Sequence, residues 1–274
     1  MLHDQGYVDL HTHLVPGVDD GAESQRDAEN LLRGAVATGT SVLVVTPHVY
    51  PGVGDWREIA ALLGARDRWL ETANRDFPDI SVLAGAEVHC THELIGAFDR
   101  YGRSLTLNGS DYFLLEFPFD LLFPGIEGLI FQLQRQGWIP VIAHPERNEV
   151  IQRSPGMLYR MVRAGALAQV NAGSLEGRFG QAAQRCVVDL LRNHLVHVVA
   201  SDAHWPVERP ADLSVAADLL KKLELGEPDI LMRRNPLSIL RNQGLERMPD
   251  PRDPGSGGNG IISRLVRRFR NEKS

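Results

Sequence analysis

Short runs with no polar face alternate along this chain with longer stretches in which apolar residues return every three or four positions. The first run, residues 7–10, ends in His11-Thr12-His13, and residues 41–48 end in Thr46-Pro47-His48. Residues 80–87 end in Glu87, residues 111–118 carry Glu116 near their end, and residues 138–143 lead to His144-Pro145-Glu146-Arg147. Residues 166–171 end in Asn171, and the run starting at Val196 ends in Ser201-Asp202-Ala203-His204. Between them, residues 24–38, 56–75, 126–136, 157–164 and 181–193 have helical spacing, and two or three further helices reach about Asn242. Ser24 with Asp27 reads as a capping box, and Gly39 as the stop of that first helix. Strands apolar on both faces and separated by helices imply a parallel sheet covered on its outside. Seven such units at even spacing suggest a barrel, with a doubly wound sheet as the alternative.

In a barrel, the C-terminal ends of the strands converge on one rim, where barrel enzymes keep their sites. Six of the seven predicted strands end in His, Asp or Glu. His11 and His13 lie two apart on a strand and leave the same face, and the turn at Pro16-Gly17 can bring Asp20 back over it. The candidate metal ligands are therefore His11, His13, Asp20, His48, Glu87, Glu116, His144, Asp202 and His204. Five imidazoles and four carboxylates are too many for one ion and enough for two or three. With no thiolate among them the set suits Mn²⁺, Fe²⁺ or Zn²⁺. Close divalent cations generate hydroxide near neutral pH and clamp phosphoryl oxygens during in-line displacement. Arg147 and Arg209 follow two of the ligand clusters, and a guanidinium fork matches phosphate oxygens. The chemistry expected is hydrolysis of a phosphoester.

Other polar and aromatic residues sort around that site. His89 and His92 fall close enough to Glu87 to line the rim, whereas His194 and His197 read as structural. Tyr50, Trp56, Phe119, Phe123 and Trp205 fall in rim loops and either meet an aromatic substrate or anchor the loops. Cys186 and Arg192 have the Cys-x5-Arg spacing of cysteine-dependent phosphatases, but the residues between are apolar and helically spaced, not a glycine-rich phosphate loop.

Composition narrows the setting. At 274 residues and 43% hydrophobic the chain can bury a large core, and a net charge of −6 offers no global field for nucleic acid. Two isolated cysteines argue against a disulfide framework. There is no basic-then-apolar leader and no run near the roughly 20 apolar residues of a membrane span, so a cytoplasmic protein is expected. The predicted organisation is a phosphatase domain over residues 1–248, a Pro/Gly linker over 249–260 and a basic amphipathic tail over 261–274. In the tail, Ile261, Ile262, Leu265, Val266 and Phe269 share a helical stripe flanked by Arg264, Arg267, Arg268, Arg270 and Lys273. It reads either as a peripheral contact with an anionic membrane or acidic partner, or as a solubilising extension.

Taken together, Asp9-Leu10-His11-Thr12-His13 with Pro16-Gly17-Val18-Asp19-Asp20-Gly21, Thr46-Pro47-His48, Leu115-Glu116-Phe117-Pro118, His144-Pro145-Glu146-Arg147 and Ser201-Asp202-Ala203-His204 with Arg209-Pro210 resemble a known family. It is the PHP (polymerase and histidinol phosphatase) superfamily, and within it the manganese-dependent protein-tyrosine phosphatases of bacterial capsule and exopolysaccharide loci. The resemblance runs over residues 7–243. It implies a distorted (β/α)7 TIM-like barrel (PHP fold) with a trinuclear site. His11, His13, Glu87 and Asp202 would hold one ion, Glu87 would bridge to a second held by Glu116 and His144, and Asp20, His48 and His204 would hold a third. Mn²⁺ is the implied cofactor, and the implied partner is the phosphotyrosine tail of a bacterial tyrosine kinase. A metal-activated hydroxide would attack phosphorus, with Arg147, Arg209 and Asp20 as the catalytic residues beside the metals. Two departures, Ala86 before Glu87 and Val49 after His48, remove no ligand. A small-molecule phosphomonoesterase such as a histidinol phosphatase, or a metal-stabilised binding protein without turnover, are the rival readings.

Overall fold

In the computed structural model, residues 5–246 and 248–256 are described. The amphipathic tail at 261–274 and the last part of the linker, 257–260, lie outside them. The chain opens with strand β1 (Tyr7–Thr12), helix α1 (Gln25–Ala37) and strands β2 (Thr40–Val45) and β3 (His48–Val49). Helix α2 (Trp56–Asp76), strands β4 (Ser81–Ala84) and β5 (Glu87–His89), helix α3 (Leu94–Tyr101) and strand β6 (Tyr112–Glu116) follow. Then come α4 (Ile126–Arg135), β7 (Ile139–Ala143), α5 (Glu149–Arg153), α6 (Gly156–Arg163), β8 (Leu167–Asn171) and α7 (Ala172–Glu176). Helix α8 (Gly180–Arg192), strand β9 (Val198–Ala200) and helices α9 (Ser214–Lys222) and α10 (Asn235–Leu240) complete the elements that matter here. The Ser24–Asp27 capping box forms as the spacing predicts.

Among the described residues every pairing of these strands is parallel. β1, β2 and β4 form one sheet, and β3, β5, β6, β7, β8 and β9 form the other. The two are halves of one ring. Gly85 N donates to Val45 O at 2.9 Å and Glu87 N to Pro47 O at 3.1 Å, so the ladder of β2 with β4 runs on into that of β3 with β5. At the other seam, Thr12 bridges Ala203, His13 N donates to Ala203 O at 2.8 Å, and Asp202 N donates to His11 O at 2.9 Å. β2 with β3 and β4 with β5 thus count as single staves, and the barrel has seven.

The sequence pattern predicts those two staves as unbroken strands, 41–48 and 80–87, and both are interrupted. Pro47 has no N–H to give the ladder. Beside it, Gly85 passes so close that an added Cβ would lie 2.7 Å from Val44 Cγ1 and 2.9 Å from Thr46 Cγ2. Glu87 consequently begins a new segment at the rim instead of closing a strand.

The strand faces supply different cores, as the period of two requires. Phe113, Leu115, Ile142, Val170 and Val199 pack with the surrounding helices, while Leu114, Val141 and Val198 join Val42, Val44 and the α10 residues Leu237 and Ile239. Glu116 continues the register of Leu114, and Asn171 that of Gln169. Among the described residues no helix is long and apolar enough to cross a membrane. The chain after Pro249 is still in contact with the barrel, since Arg252 N donates to Asn193 O at 2.9 Å.

Candidate metal centre

Nine side chains from six strand ends and the loop after β1 meet at the C-terminal rim. His11 and His13 are fully buried, and their Nε2 atoms approach to 3.1 Å. Glu87, also fully buried, lies at the middle: its Oε2 is 3.1 Å from His11 Nε2, 3.3 Å from His13 Nε2 and 3.1 Å from His48 Nδ1. Its Oε1 is 2.9 Å from His144 Nε2. Asp202 Oδ1 stands 3.5 Å from the Nε2 of both His11 and His13. Glu116 reaches His48 Nδ1 at 3.4 Å and His144 Nε2 at 3.8 Å. Asp20, on the exposed edge, faces His48 Nε2 at 3.4 Å and His204 Nε2 at 3.3 Å. Ligand atoms therefore gather into four overlapping sets: His13, Asp20, His48 and His204; His11, Glu87 and His144; His11, His13 and Asp202; His48, Glu87 and Glu116.

Local backbone geometry puts them there. Gly21 presses against His13, and a Cβ on it would stand 2.0 Å from the His13 carbonyl oxygen, so only glycine lets the Asp19-Asp20 loop fold back. His144 (φ 31°) and Asp202 (φ 56°) both adopt the left-handed conformation, which costs energy for residues with a Cβ and turns each side chain at a strand end.

The electrostatics are those of a cage built for cations. Burial would raise the Glu87 carboxyl, but the His11 charge and the His13 and His144 imidazoles beside it outweigh that and hold it well below the ordinary range. Burial pulls His11 down, yet Glu87 and Asp202 win and push it up to about 9. The same contest, with Asp20 and Glu116 against burial, pushes His48 up to about 12. Glu116, despite burial and the nearby Glu87 charge, is lowered to about 2 by His48, His89 and His144. Positive charge is thus demanded here, and either protons or metal ions can supply it. Glu87 Oε2 and His48 Nδ1 are buried without a hydrogen-bond partner, although nitrogen and oxygen atoms crowd them. Ligands about 2.0–2.2 Å from a common ion stand about 3.0–3.5 Å apart, the spacing found around Glu87 Oε2. The residues fit divalent cations.

Arg147 and Arg209 roof one side. Arg147 Nη1 donates to Asp202 Oδ2 at 3.1 Å and Arg209 Nη2 to the same oxygen at 2.5 Å. Both guanidinium groups lie over Phe179, and Arg147 also over Phe119 at 4.6 Å. Arg209 Nε is buried without an acceptor. Of the rim aromatics, Tyr50 stacks on His48, Phe119 lies beside His144, and Trp205 sits edge-on to His204. Trp56 instead packs on Tyr101.

Further polar residues surround the ligands, His89 as its place after Glu87 suggests and the others without such a signal. Asp19 accepts from His13 Nδ1 at 2.9 Å and from His48 N at 3.2 Å, and its only sequence signal is its place before Asp20. His89 lies 3.1 Å from Glu116 Oε2. Glu146 accepts from Asn171 N and Ser174 Oγ, while Gln169 and Asn171 continue inward from β8. His92, 84% exposed, stays in solvent. Cys186 is buried in α8 with its thiol pushed far up by burial, the opposite of a nucleophilic thiolate.

The family described as "Capsular polysaccharide synthesis, CpsB/CapC" matches residues 7–241. Tyrosine-protein phosphatase YwqE of Bacillus subtilis is 36% identical over 242 residues, 88% of this chain and 94% of its own. Tyrosine-protein phosphatase CpsB of Streptococcus pneumoniae is 29% identical over 245 residues, 86% of this chain and 99% of its own. A solved chain from "Crystal structures of YwqE from Bacillus subtilis and CpsB from Streptococcus pneumoniae, unique metal-dependent tyrosine phosphatases" superposes with a TM-score of 0.81. It is 36% identical, and the match covers 90% of this chain and 98% of that one. The fold expected of the PHP superfamily is the one found, and the chain belongs to the CpsB/CapC family of capsular polysaccharide synthesis.

Proposed function

We propose that this protein is a metal-dependent protein-tyrosine phosphatase that uses two or three divalent cations, Mn²⁺ foremost, and acts on the phosphotyrosine tail of a bacterial tyrosine kinase governing capsule or exopolysaccharide synthesis. The observation that carries the reading is the buried Glu87 carboxylate ringed by imidazoles, with two arginines converging on the adjacent Asp202. His11, His13, Glu87 and Asp202 would hold one ion, Glu87, Glu116 and His144 a second, and Asp20, His48 and His204 a third. When bound, such cations supply hydroxide near neutral pH and positive charge for phosphoryl oxygens.

The chain's own residues do the rest. Arg147 and Arg209 bind and orient the non-bridging oxygens, and the unpaired Nε of Arg209 is a donor ready for one of them. Asp202 fixes both guanidinium groups, so little reorganisation is needed when substrate arrives. Tyr50 and Phe119, 41% and 45% exposed, offer ring faces beside His48 and His144 to the tyrosyl group. A tyrosyl leaving group, with a pKa of about 10, departs without a strong general acid. Work on a kinase tail sets the cytoplasm as the compartment. Contact of residues 261–274 with an anionic membrane is part of the same reading, and truncation at Pro249 followed by liposome flotation tests it: unchanged flotation rejects it.

The main test pairs metal analysis by mass spectrometry with hydrolysis of a phosphotyrosyl peptide and of histidinol phosphate. Mn²⁺-dependent turnover that favours the peptide is expected. Metal-replete protein that cleaves neither compound, or that prefers histidinol phosphate, overturns the reading.

A further inference from the structure

Behind the ligands runs a chain of hydrogen bonds with a forced direction. Asp202 Oδ2 accepts from Asn171 Nδ2 at 2.6 Å, Asn171 Oδ1 accepts from Gln169 Nε2 at 2.9 Å, and Gln169 Oε1 lies 2.9 Å from His11 Nδ1. Gln169 and Asn171 are fully buried, so water cannot stand in for either amide. An ionised carboxylate between two arginines has no proton to give and can only accept. Asn171 must therefore present its amide nitrogen to Asp202, which turns its oxygen toward Gln169. Gln169 must donate to that oxygen, which turns its own oxygen toward His11. His11 must then carry a proton on Nδ1, so that in the neutral form a metal ion requires it is the Nε2 lone pair that faces Glu87 and Asp202.

We infer that Gln169 and Asn171 are positioning residues that lock His11 as an Nε2 ligand and tie it to Asp202, so that two ligands of one ion are oriented as a unit. The inference rests on the metal-site reading above and deepens it. Neighbouring histidines are aimed by simpler means: Asp19 takes the Nδ1 proton of His13, and the Asp202 carbonyl oxygen that of His204. At His11 the acceptor is instead a side-chain amide whose orientation is dictated from the far end of the hydrogen-bond chain. Both residues lie on β8, the stave whose end carries no candidate ligand, which gives that strand its part in the site.

The test uses the full chain. In Zn²⁺-loaded wild-type protein, ¹⁵N NMR of the imidazoles should show His11 protonated at Nδ1 and metal-bound at Nε2. Binding is then measured by equilibrium dialysis against Mn²⁺. Gln169→Met, which keeps volume but not the acceptor, and Asn171→Leu should each weaken one ion by about 10- to 100-fold. The double variant should lose no more than the worse single one, because the chain fails as a unit. Gln169→Glu keeps size and acceptor but cannot donate to Asn171, and should fall in the same range, which decides the matter if Gln169→Met does not fold. Wild-type protein that binds no metal sinks the site reading itself. Normal wild-type binding with His11 ligated through Nδ1, or with wild-type affinity in the folded variants, overturns this inference alone.

Discussion

Replacing Gly85 with alanine tests how the barrel places Glu87. The added Cβ would meet Val44 Cγ1 at 2.7 Å, Thr46 Cγ2 at 2.9 Å and Leu107 Cδ2 at 3.1 Å, all well inside the roughly 3.5–4.0 Å of favourable carbon contact. None of the neighbours yields easily. Thr46 Oγ1 accepts from Thr12 N at 3.0 Å and donates to Thr12 O at 3.2 Å, so rotating its methyl away breaks both bonds. Gly85 cannot retreat either, because Arg66 Nη1 donates to its carbonyl at 2.7 Å and to that of Ser104 at 2.8 Å. Overpacking of this kind costs about 1–3 kcal/mol. At about 2–4 °C per kcal/mol for a chain of this size, the melting temperature should fall by about 2–12 °C. The strain should also shift Glu87, two residues on, and misplacement of about 1 Å near reacting groups can lower turnover by about 100-fold. Differential scanning calorimetry with saturating Mn²⁺ and phosphopeptide hydrolysis on the same sample read both effects. Wild-type melting and wild-type turnover together would refute the close-packing account of the interrupted stave.

Three further outcomes are expected. Cys186→Ser should leave phosphopeptide turnover intact, because the thiol is buried in a helix and held in its protonated form; loss of turnover with metals retained would reassign the nucleophile. Arg209→Lys keeps the charge but removes Nε and the fork, and should lower kcat/KM by roughly 10- to 100-fold, since a hydrogen bond to a charged group contributes about 1.5–3 kcal/mol. His197, lowered by burial to about 4, accepts from Ala168 N at 3.1 Å and must stay neutral in the fold. Its folded pKa lies below the unfolded value of about 6.5, so the unfolded chain binds the extra proton first and this stability is present above about pH 6.5 and is lost toward pH 4. His197 as a whole residue is half-buried, so about 3 kcal/mol is a ceiling. His197→Asn, which preserves an acceptor, should flatten that part of the pH dependence in urea titrations.

How far the sequence discloses the site depends on what each residue signals. His11, His13, His48, His144 and His204 stand out because polar residues closing apolar runs are conspicuous, and a barrel brings such ends together. The interruption at Gly85 stays hidden because it arises from contacts between neighbouring staves, which no local pattern records, whereas Pro47 is a local signal that the apolar run around it masks. Asp19, Gln169 and Asn171 escape for a similar reason. Each is an ordinary polar residue whose role comes from a partner far along the chain, as Gln169 with His11 shows. The Cys186 decoy fails in the fold for the reason visible beforehand, a helical apolar setting in place of a phosphate loop.

The seam between β1 and β9 has a consequence for how the molecule holds itself shut. Joining the first strand to the last is the most distant strand pairing among the described residues, and its entropic cost grows with the length enclosed. The backbone bonds that fasten it belong to His11, His13, Asp202 and Ala203, three of which also reach toward the candidate ion site. An ion gripped by those side chains would act as a clasp across the seam, adding to the backbone bonds, the Ser201 N to Asp9 Oδ1 bond and the apolar packing of Val8 and Leu10 with Val198. Stripping it with a chelator should therefore show first as faster deuterium uptake at the amides of His13 and Asp202, before the staves on the far side of the ring loosen.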